Sequence, residues 1–389
     1  MGVVKLFIIL GFFSLSSSFS KTQNNDKCFF SYFEKKDMLV FDRKHYPCFI
    51  SSARIDLNTA YNDTLVSYYS RTNRHIYIAR YGTVPDVDTI DLNLFLDKHD
   101  KLNVTLTCPG TNMLDYLFVN EDSIFLSVNY LTEDMSRFIY VIYLINRHAE
   151  VQKKWNITEL MRINDAYFCL NSSHYRTNMA FLNNNIIVTS SNIITQPYIA
   201  YNTDTVPSVL VFDLEQNKGH FIYAQPEVYG QGDFYGNHSL NQSIIFLDDS
   251  TFVLSYPVDH YLYKYHINGS LIKKSKCQSK YILKMRAFEK GTVITSENLI
   301  NAQENFPYYH QIVFDTHNQL IYRVAFLENR KDFSVMVIDK NLNVLGEYII
   351  PSGHLRKYLP MIVNQNNFFA EIIGNRLFKI VGSYVYKGE

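Results

Sequence analysis

Asp249-Ser-Thr-Phe-Val-Leu-Ser255 is a polar turn leading into a run of β-forming residues, and the chain writes that phrase six times. The other copies are Asp63-Thr-Leu-Val-Ser67, Asp122-Ser-Ile-Phe-Leu-Ser127, Asn184-Asn-Ile-Ile-Val-Thr189, Asn318-Gln-Leu-Ile-Tyr322 and Asn366-Asn-Phe-Phe-Ala370. Their starts lie 59, 62, 65, 69 and 48 residues apart. A phrase recurring at this scale marks one supersecondary unit repeated radially or linearly, since a single unit cannot bury its own apolar faces. The repeat specifies a scaffold, whereas function sits in the loops that vary between copies.

A second element follows most copies: Ile139-Tyr-Val-Ile-Tyr-Leu-Ile-Asn146, Val209-Leu-Val-Phe-Asp-Leu214, Leu262-Tyr-Lys-Tyr-His-Ile-Asn-Gly269 and Val335-Met-Val-Ile-Asp-Lys-Asn341. Each is strand-length and breaks at a turn, at Asn146-Arg-His, Asn217-Lys-Gly, Asn268-Gly or Asn341-Leu-Asn. Asn and Gly accept the positive φ that a tight hairpin turn demands. Each unit therefore reads strand, connection, strand, tight turn, strand, an antiparallel meander. Helical periodicity is scarce, and the candidates are Trp155–Arg162 and Asp91–Lys98.

Length sets the number of units. Without about 20 N-terminal residues, some 369 remain, close to six repeats of the mean spacing. The expected fold is all-β: a six-bladed β-propeller of antiparallel four-stranded sheets, one domain over 21–389. The last unit is short, with strands at 367–373 and 376–386, and Met38-Leu-Val-Phe-Asp42 with Cys48-Phe-Ile50 supplies the missing pair. A ring closed by strands from both termini leaves no open sheet edge at the junction. A seventh unit headed by Gly291-Thr-Val-Ile-Thr-Ser296 is the alternative ring; a sandwich pair or a solenoid would also satisfy a β-repeat.

Val3–Leu15 is an apolar run behind Lys5, followed by Ser16-Ser-Ser-Phe-Ser20. That is the layout of a signal peptide over 1–20, and no later stretch has the length of a transmembrane helix. The expected location is exported: periplasm or cell envelope in a bacterium, secreted otherwise. With 37 basic and 37 acidic residues and no like-charge run, the chain lacks the basic face of a nucleic-acid binder. Cys28, Cys48, Cys108, Cys169 and Cys277 contain no CxxC pair, which argues against a zinc or thioredoxin-type motif. Cys28 and Cys48 share the terminal segment and could form a disulfide stapling the closure; five buried, reduced thiols are the alternative. Seven sequons, at Asn62, Asn103, Asn156, Asn171, Asn237, Asn241 and Asn268, only mildly exceed chance.

No HExxH, GxSxG, Walker or EF-hand pattern occurs, and no catalytic residue, metal site or cofactor is expected. Gly230-Gln-Gly-Asp-Phe-Tyr-Gly236 is one residue too long for a dinucleotide fingerprint and opens no helix. As a rim loop it is a candidate ligand surface, through Tyr229, Asp233 and Tyr235, because glycine permits close approach and aromatic faces suit a sugar or peptide. Tyr309 and His310 are further candidates, at the mouth of the channel. Asp315 and Arg323, from facing strands of one hairpin, are read as a structural ion pair.

The same segment, Tyr308–Phe326, carries a resemblance. Its Phe314-Asp315 and Ile321-Tyr322-Arg323 are similar to the Tyr-Asp and Tyr-Tyr-Arg signature of a Bacteroidota family labelled domain of unknown function 4221. The resemblance covers most of the chain in unit layout and is specific over 308–326. It implies an exported, six-bladed propeller and brings no catalytic role to Phe314, Asp315, Tyr322 or Arg323. Family members are often lipid-anchored; here Asn25-Asp-Lys27 precedes Cys28 in place of small apolar residues, so an anchor is not expected. The expected function is a non-enzymatic, monomeric propeller binding a peptide, protein or glycan on one face. The rival is a glycan hydrolase or lyase built from Tyr, His and Asp around the central channel.

Overall fold

The computed structural model describes residues 33–42, 53–54, 65–70, 75–80, 87–92, 115–120, 122–131, 138–163, 166–167, 169–170, 179–191, 207–236, 242–315, 318–328, 332–351, 362–364, 367–374 and 378–386. They form six main antiparallel sheets, five of four strands and one of five. In chain order the first holds Ala53–Arg54, Leu65–Ser70, His75–Arg80 and Val87–Asp91. The second holds Asp115–Asn120, Ser123–Leu131, Phe138–Ile145 and Val151–Asn156. In the third, Cys169–Leu170 and Met179–Leu182 both pair with Asn185–Ser191, followed by Val209–Asp213 and Lys218–Ile222. The fourth is Ser243–Phe246, Thr251–Ser255, Tyr261–His266 and Leu271–Lys276. The fifth is Tyr308–Asp315, Leu320–Phe326, Asp332–Asp339 and Val344–Pro351. The sixth is Ile362–Asn364, Asn367–Gly374 and Phe378–Tyr386, with Phe33–Asp42 as its outermost strand.

Every copy of the repeated phrase runs into the second strand of its sheet: at Leu65, Ser123, Asn185, Thr251, Leu320 and Asn367. The turns in front follow from local chemistry. Asn183 and Asn184 both take positive φ (47° and 60°) in a two-residue loop, as the right-handed strand twist requires. Asp248 accepts the N–H groups of Ser250 and Thr251 at 2.9 and 2.8 Å, replacing backbone partners lost at the turn. Between third and fourth strands, Asn217, Gly269 and Leu342 adopt positive φ, and the Asp339 carboxylate holds the N–H groups of Asn341 and Asn343 at 2.8 Å each. Leu342 is a strained choice for φ 62°, and its burial against the fourth sheet offsets that cost.

Strand periodicity explains how the sheets stack. Successive side chains leave opposite faces, so the second sheet sends Ile124, Leu126, Tyr143 and Ile145 toward Ile76, Ile78 and Ile90 of the first. Its Phe125, Tyr140 and Ile142 instead meet Ile186, Val188, Leu210 and Phe212 of the third. Ile187, Val209 and Val211 of the third pack on Ile244, Phe252, Leu254 and Tyr263 of the fourth. Finally Ile245, Val253 and Leu262 of the fourth join Ile312, Ile321, Met336 and Ile338 of the fifth. A one-residue slip in any strand would swap both faces at once, so the register is strongly specified. First strands also lie beside one another: Asp115–Asn120 against Met179–Leu182, and Tyr308–Asp315 against both Ser243–Phe246 and Ile362–Asn364.

Several expectations need correction. Trp155 belongs to the outer strand Val151–Asn156, with its indole N–H on the Leu214 carbonyl at 3.1 Å, and 158–161 is a turn, not a helix. Of the second candidate, Asp91 ends a strand, Leu92 begins a helix as expected, and 93–98 lies outside the described residues. Gly291–Ser296 heads no seventh unit. It is a turn, with Gly291 at φ 91°, that enters the α-helix Ser296–Asn305, capped by Thr295 Oγ1 accepting from the Asn298 N–H at 3.2 Å. The signal-peptide segment, Cys28, Cys48 and Cys108 lie outside the described residues. Among the described residues no helix is long and apolar enough to cross a membrane.

Candidate functional site

The two ends of the stacked sheets differ. One carries the tight turns; the other carries the connection 256–260 and the long connections 223–242 and 277–307. These connections pack on one another. Phe234 stacks on Phe288 at 5.6 Å, the Phe288 N–H donates to the Phe234 carbonyl at 2.8 Å, and the Tyr256 hydroxyl donates to Ala224 O at 2.8 Å. Lys290 Nζ lies 3.9 Å from the Asp233 carboxylate. On their outside, Leu283 (83% exposed), Val293 (78%), Ile300 (58%) and Tyr223 (46%) face solvent.

Beneath this end sits a saturated polar cluster centred on Arg323, which is fully buried. All five guanidinium N–H groups are used. Nε donates to Ser255 Oγ (3.1 Å), Nη1 to the carbonyls of Cys277 (2.8 Å) and His260 (3.2 Å), and Nη2 to those of Asp259 (2.6 Å) and Tyr256 (3.4 Å). The guanidinium also lies over the Tyr309 ring, 3.4 Å from its centroid. The Tyr309 hydroxyl accepts the Ser279 N–H at 2.9 Å and shares a hydrogen bond of 2.8 Å with His260 Nδ1. Glu347 then fixes the start of the 277–307 connection, accepting from Ser279 Oγ at 2.5 Å and the Lys280 N–H at 2.7 Å. One residue of the fifth sheet thus clamps the end of the fourth.

The expected Asp315–Arg323 pair is not formed. The two sit on adjacent strands, but the register sets Arg323 opposite Ile312 and Asp315 opposite Leu320. That register runs unbroken from the turn, and the strand bulges only beyond it, between Tyr309 and Ile312. Asp315 instead accepts the Asn318 N–H at 3.0 Å and Asn318 Nδ2 at 2.8 Å, the turn-forming role that Asp248 has in the fourth sheet. Tyr309 (1% exposed) and His310 (7%) are packed inside the sheets and do not line a channel mouth. Tyr229 is half-buried, edge-on to Tyr256; Tyr235 is buried, its hydroxyl pushed up to about 12 by burial and then by Asp233 and Asp259. Of the five candidate ligand residues, Tyr229 and Asp233 therefore keep partial access. Cys277 is buried as a free thiol.

Burial, and next the Arg323 cation, lower the His260 pKa to about 4. The unfolded chain takes up that proton near 6.5, so it binds more protons than the folded state between pH 6.5 and about 4. Stability is present above pH 6.5 and is lost as the pH falls toward 4. With partial exposure allowed for, the loss is expected at about 2 kcal/mol. Urea midpoints at pH 7 and 4.5 for wild type and His260→Gln check it: the variant's pH dependence should be flatter, and equal slopes would exclude the group.

The profile of the family described as Domain of unknown function (DUF4221) matches residues 121–349. A crystal structure of a DUF4221 member from Bacteroides vulgatus is similar over 92% of this chain and 99% of that one, with TM-score 0.58 and 13% identity. A Bacteroides caccae protein of unknown function covers 74% and 78% respectively, with TM-score 0.36 and 10% identity. No curated protein matches in sequence.

Proposed function

The chain belongs to the DUF4221 family, and from that premise we propose that it is an exported, non-catalytic six-bladed β-propeller. It binds a peptide or protein ligand, with a glycan as the next class, at its long-connection end. A closed ring is supported by six sheets stacked in chain order, first strands lying side by side, and a sheet shared by N- and C-terminal strands. The observation that carries the binding reading is the set of aliphatic side chains exposed on 277–307, over connections that are otherwise tightly packed. Exposed apolar groups on a rigid base are what a peptide or protein surface recognises. The polar groups beneath are committed to Arg323 and Tyr309, which leaves little for acid–base chemistry there.

The test compares wild type with Leu283→Asp/Val293→Asp on displayed peptide libraries and on glycan arrays. Wild type is expected to select a ligand, and the variant to lose at least about tenfold in affinity at unchanged Tm. Binding indifferent to both substitutions, or turnover of an arrayed glycan, would overturn the reading. Export is checked separately, by fractionation and by N-terminal cleavage near Ser20.

A further inference from the structure

The two long connections at the binding end carry opposite charge. Residues 271–288 hold Lys273, Lys274, Lys276, Lys280, Lys284 and Arg286, spaced among neutral and apolar residues, and no Asp or Glu. The adjoining connection 223–242 holds Glu227 and Asp233 and no Lys or Arg. Some of the basic charge is answered from the fifth sheet and the turn after it. Asp339 lies in electrostatic reach of Lys273, Glu347 holds Ser279 and the Lys280 N–H, and Glu328 pairs with Arg286 at 3.1 Å. Lys284 is exposed and meets no carboxylate among the described residues.

Local geometry sets an apolar group among these charges. The Ile282 N–H donates to Ser279 O at 3.2 Å, and Gln278 Nε2 donates to the carbonyls of Ile282 (3.0 Å) and Leu283 (3.1 Å). These bonds close 278–283 into a compact loop. Ile282 and Met285 anchor it in the core, so Leu283 and Lys284 between them face solvent. Lys280, also exposed, stands at the turn of the same loop. Tyr309 and Glu347 hold the loop's base, so a ligand need order little of it on binding.

Resting on the peptide-binding reading above, we infer that the ligand is an acidic peptide segment. One bulky apolar residue packs on Leu283, and flanking Asp or Glu side chains meet Lys280 and Lys284. The same surface disfavours other anions. A planar anionic bilayer would press on Glu227 and Asp233 as well as on the lysines, whereas separate carboxylates can keep to the basic connection. Sugar rings are best met by aromatic faces, and the large apolar groups exposed on 277–307 are the aliphatic Leu283, Val293 and Ile300.

The full chain is screened against three displayed peptide libraries that share randomised apolar positions and differ in their flanks: Asp/Glu, Ser/Asn or Lys/Arg. Selection from the Asp/Glu library is expected, with an association rate that falls as salt rises. Lys284→Glu and Lys280→Ala/Lys284→Ala should each weaken the selected peptide about fivefold or more at unchanged Tm. Alanine at 280 keeps the N–H that Glu347 holds. Selection of neutral or basic peptides that Leu283→Asp/Val293→Asp abolishes overturns the acidic class and leaves the binding end in place. No selection from any library overturns both. Acidic peptides bound equally by the lysine variants, or anionic vesicles or sulfated glycans retained as well as the peptides, overturn the inference too.

Discussion

Arg323→Ala is expected to cost about 3–5 kcal/mol, enough to unfold a domain of ordinary stability at moderate temperature. The loss does not come from a broken ion pair. Five buried acceptors, from Ser255, Tyr256, Asp259, His260 and Cys277, converge on one guanidinium. Alanine leaves Ser255 Oγ and the carbonyls of Asp259 and Cys277 without this donor, while the carbonyls of His260 and Tyr256 keep the N–H groups of Cys277 and Asp259. Each unsatisfied buried acceptor carries a penalty of about 1–3 kcal/mol, only part of which relaxation and entering water can recover. Arg323→Lys should rescue little, since an ammonium has three donors, no fork and no plane to stack on Tyr309. Asp315→Asn is the contrasting control. Asparagine keeps a side-chain acceptor for the Asn318 N–H, so a loss under about 1 kcal/mol is expected. Chemical denaturation of the three variants decides between the clamp and a simple surface link: equal, small losses for Arg323→Ala and Asp315→Asn would refute the clamp.

The architecture was legible because it is written in local chemistry. Asn183-Asn184, Asp248, Asn268-Gly269 and Asp339 each solve a backbone problem within four residues, so their turns can be read without tertiary context. The helix Ser296–Asn305 also had a signal, Thr295 three residues before Asn298, obscured by the β-like Val293-Ile294 ahead of it. Arg323 gave a partial signal: a cation within Leu320–Phe326, a strand buried on both faces, must be buried and satisfied. Its acceptors could not be read, because they lie 46 to 68 residues away at the end of another sheet and most are main-chain carbonyls. The assumed partner, Asp315, was wrong because the turn sets Asp315 opposite Leu320, and counting back from there puts Ile312 opposite Arg323.

Deleting residues 361–389 is expected to abolish folding, not to trim a tail. The fifth sheet has a second face, formed by Tyr308, Tyr322, Val324, Phe326, Phe333, Val335 and Val337, all buried and none of it turned toward the fourth sheet. Its first strand lies against Ile362–Asn364 of the sixth sheet. Removing that sheet uncovers seven apolar side chains at about 1.5–3 kcal/mol each, a loss of at most about 10–20 kcal/mol, against a total stability of about 5–15 kcal/mol. Phe33–Asp42 would also lose its pairing partner Phe378–Tyr386, leaving an open strand edge prone to aggregation. The truncated chain should therefore be insoluble or lack a cooperative melting transition, while removal of 387–389 alone should leave the transition in place. A soluble, monomeric truncation melting as wild type does would mean that something other than the sixth sheet covers this face, and the closed-ring reading would fall with it.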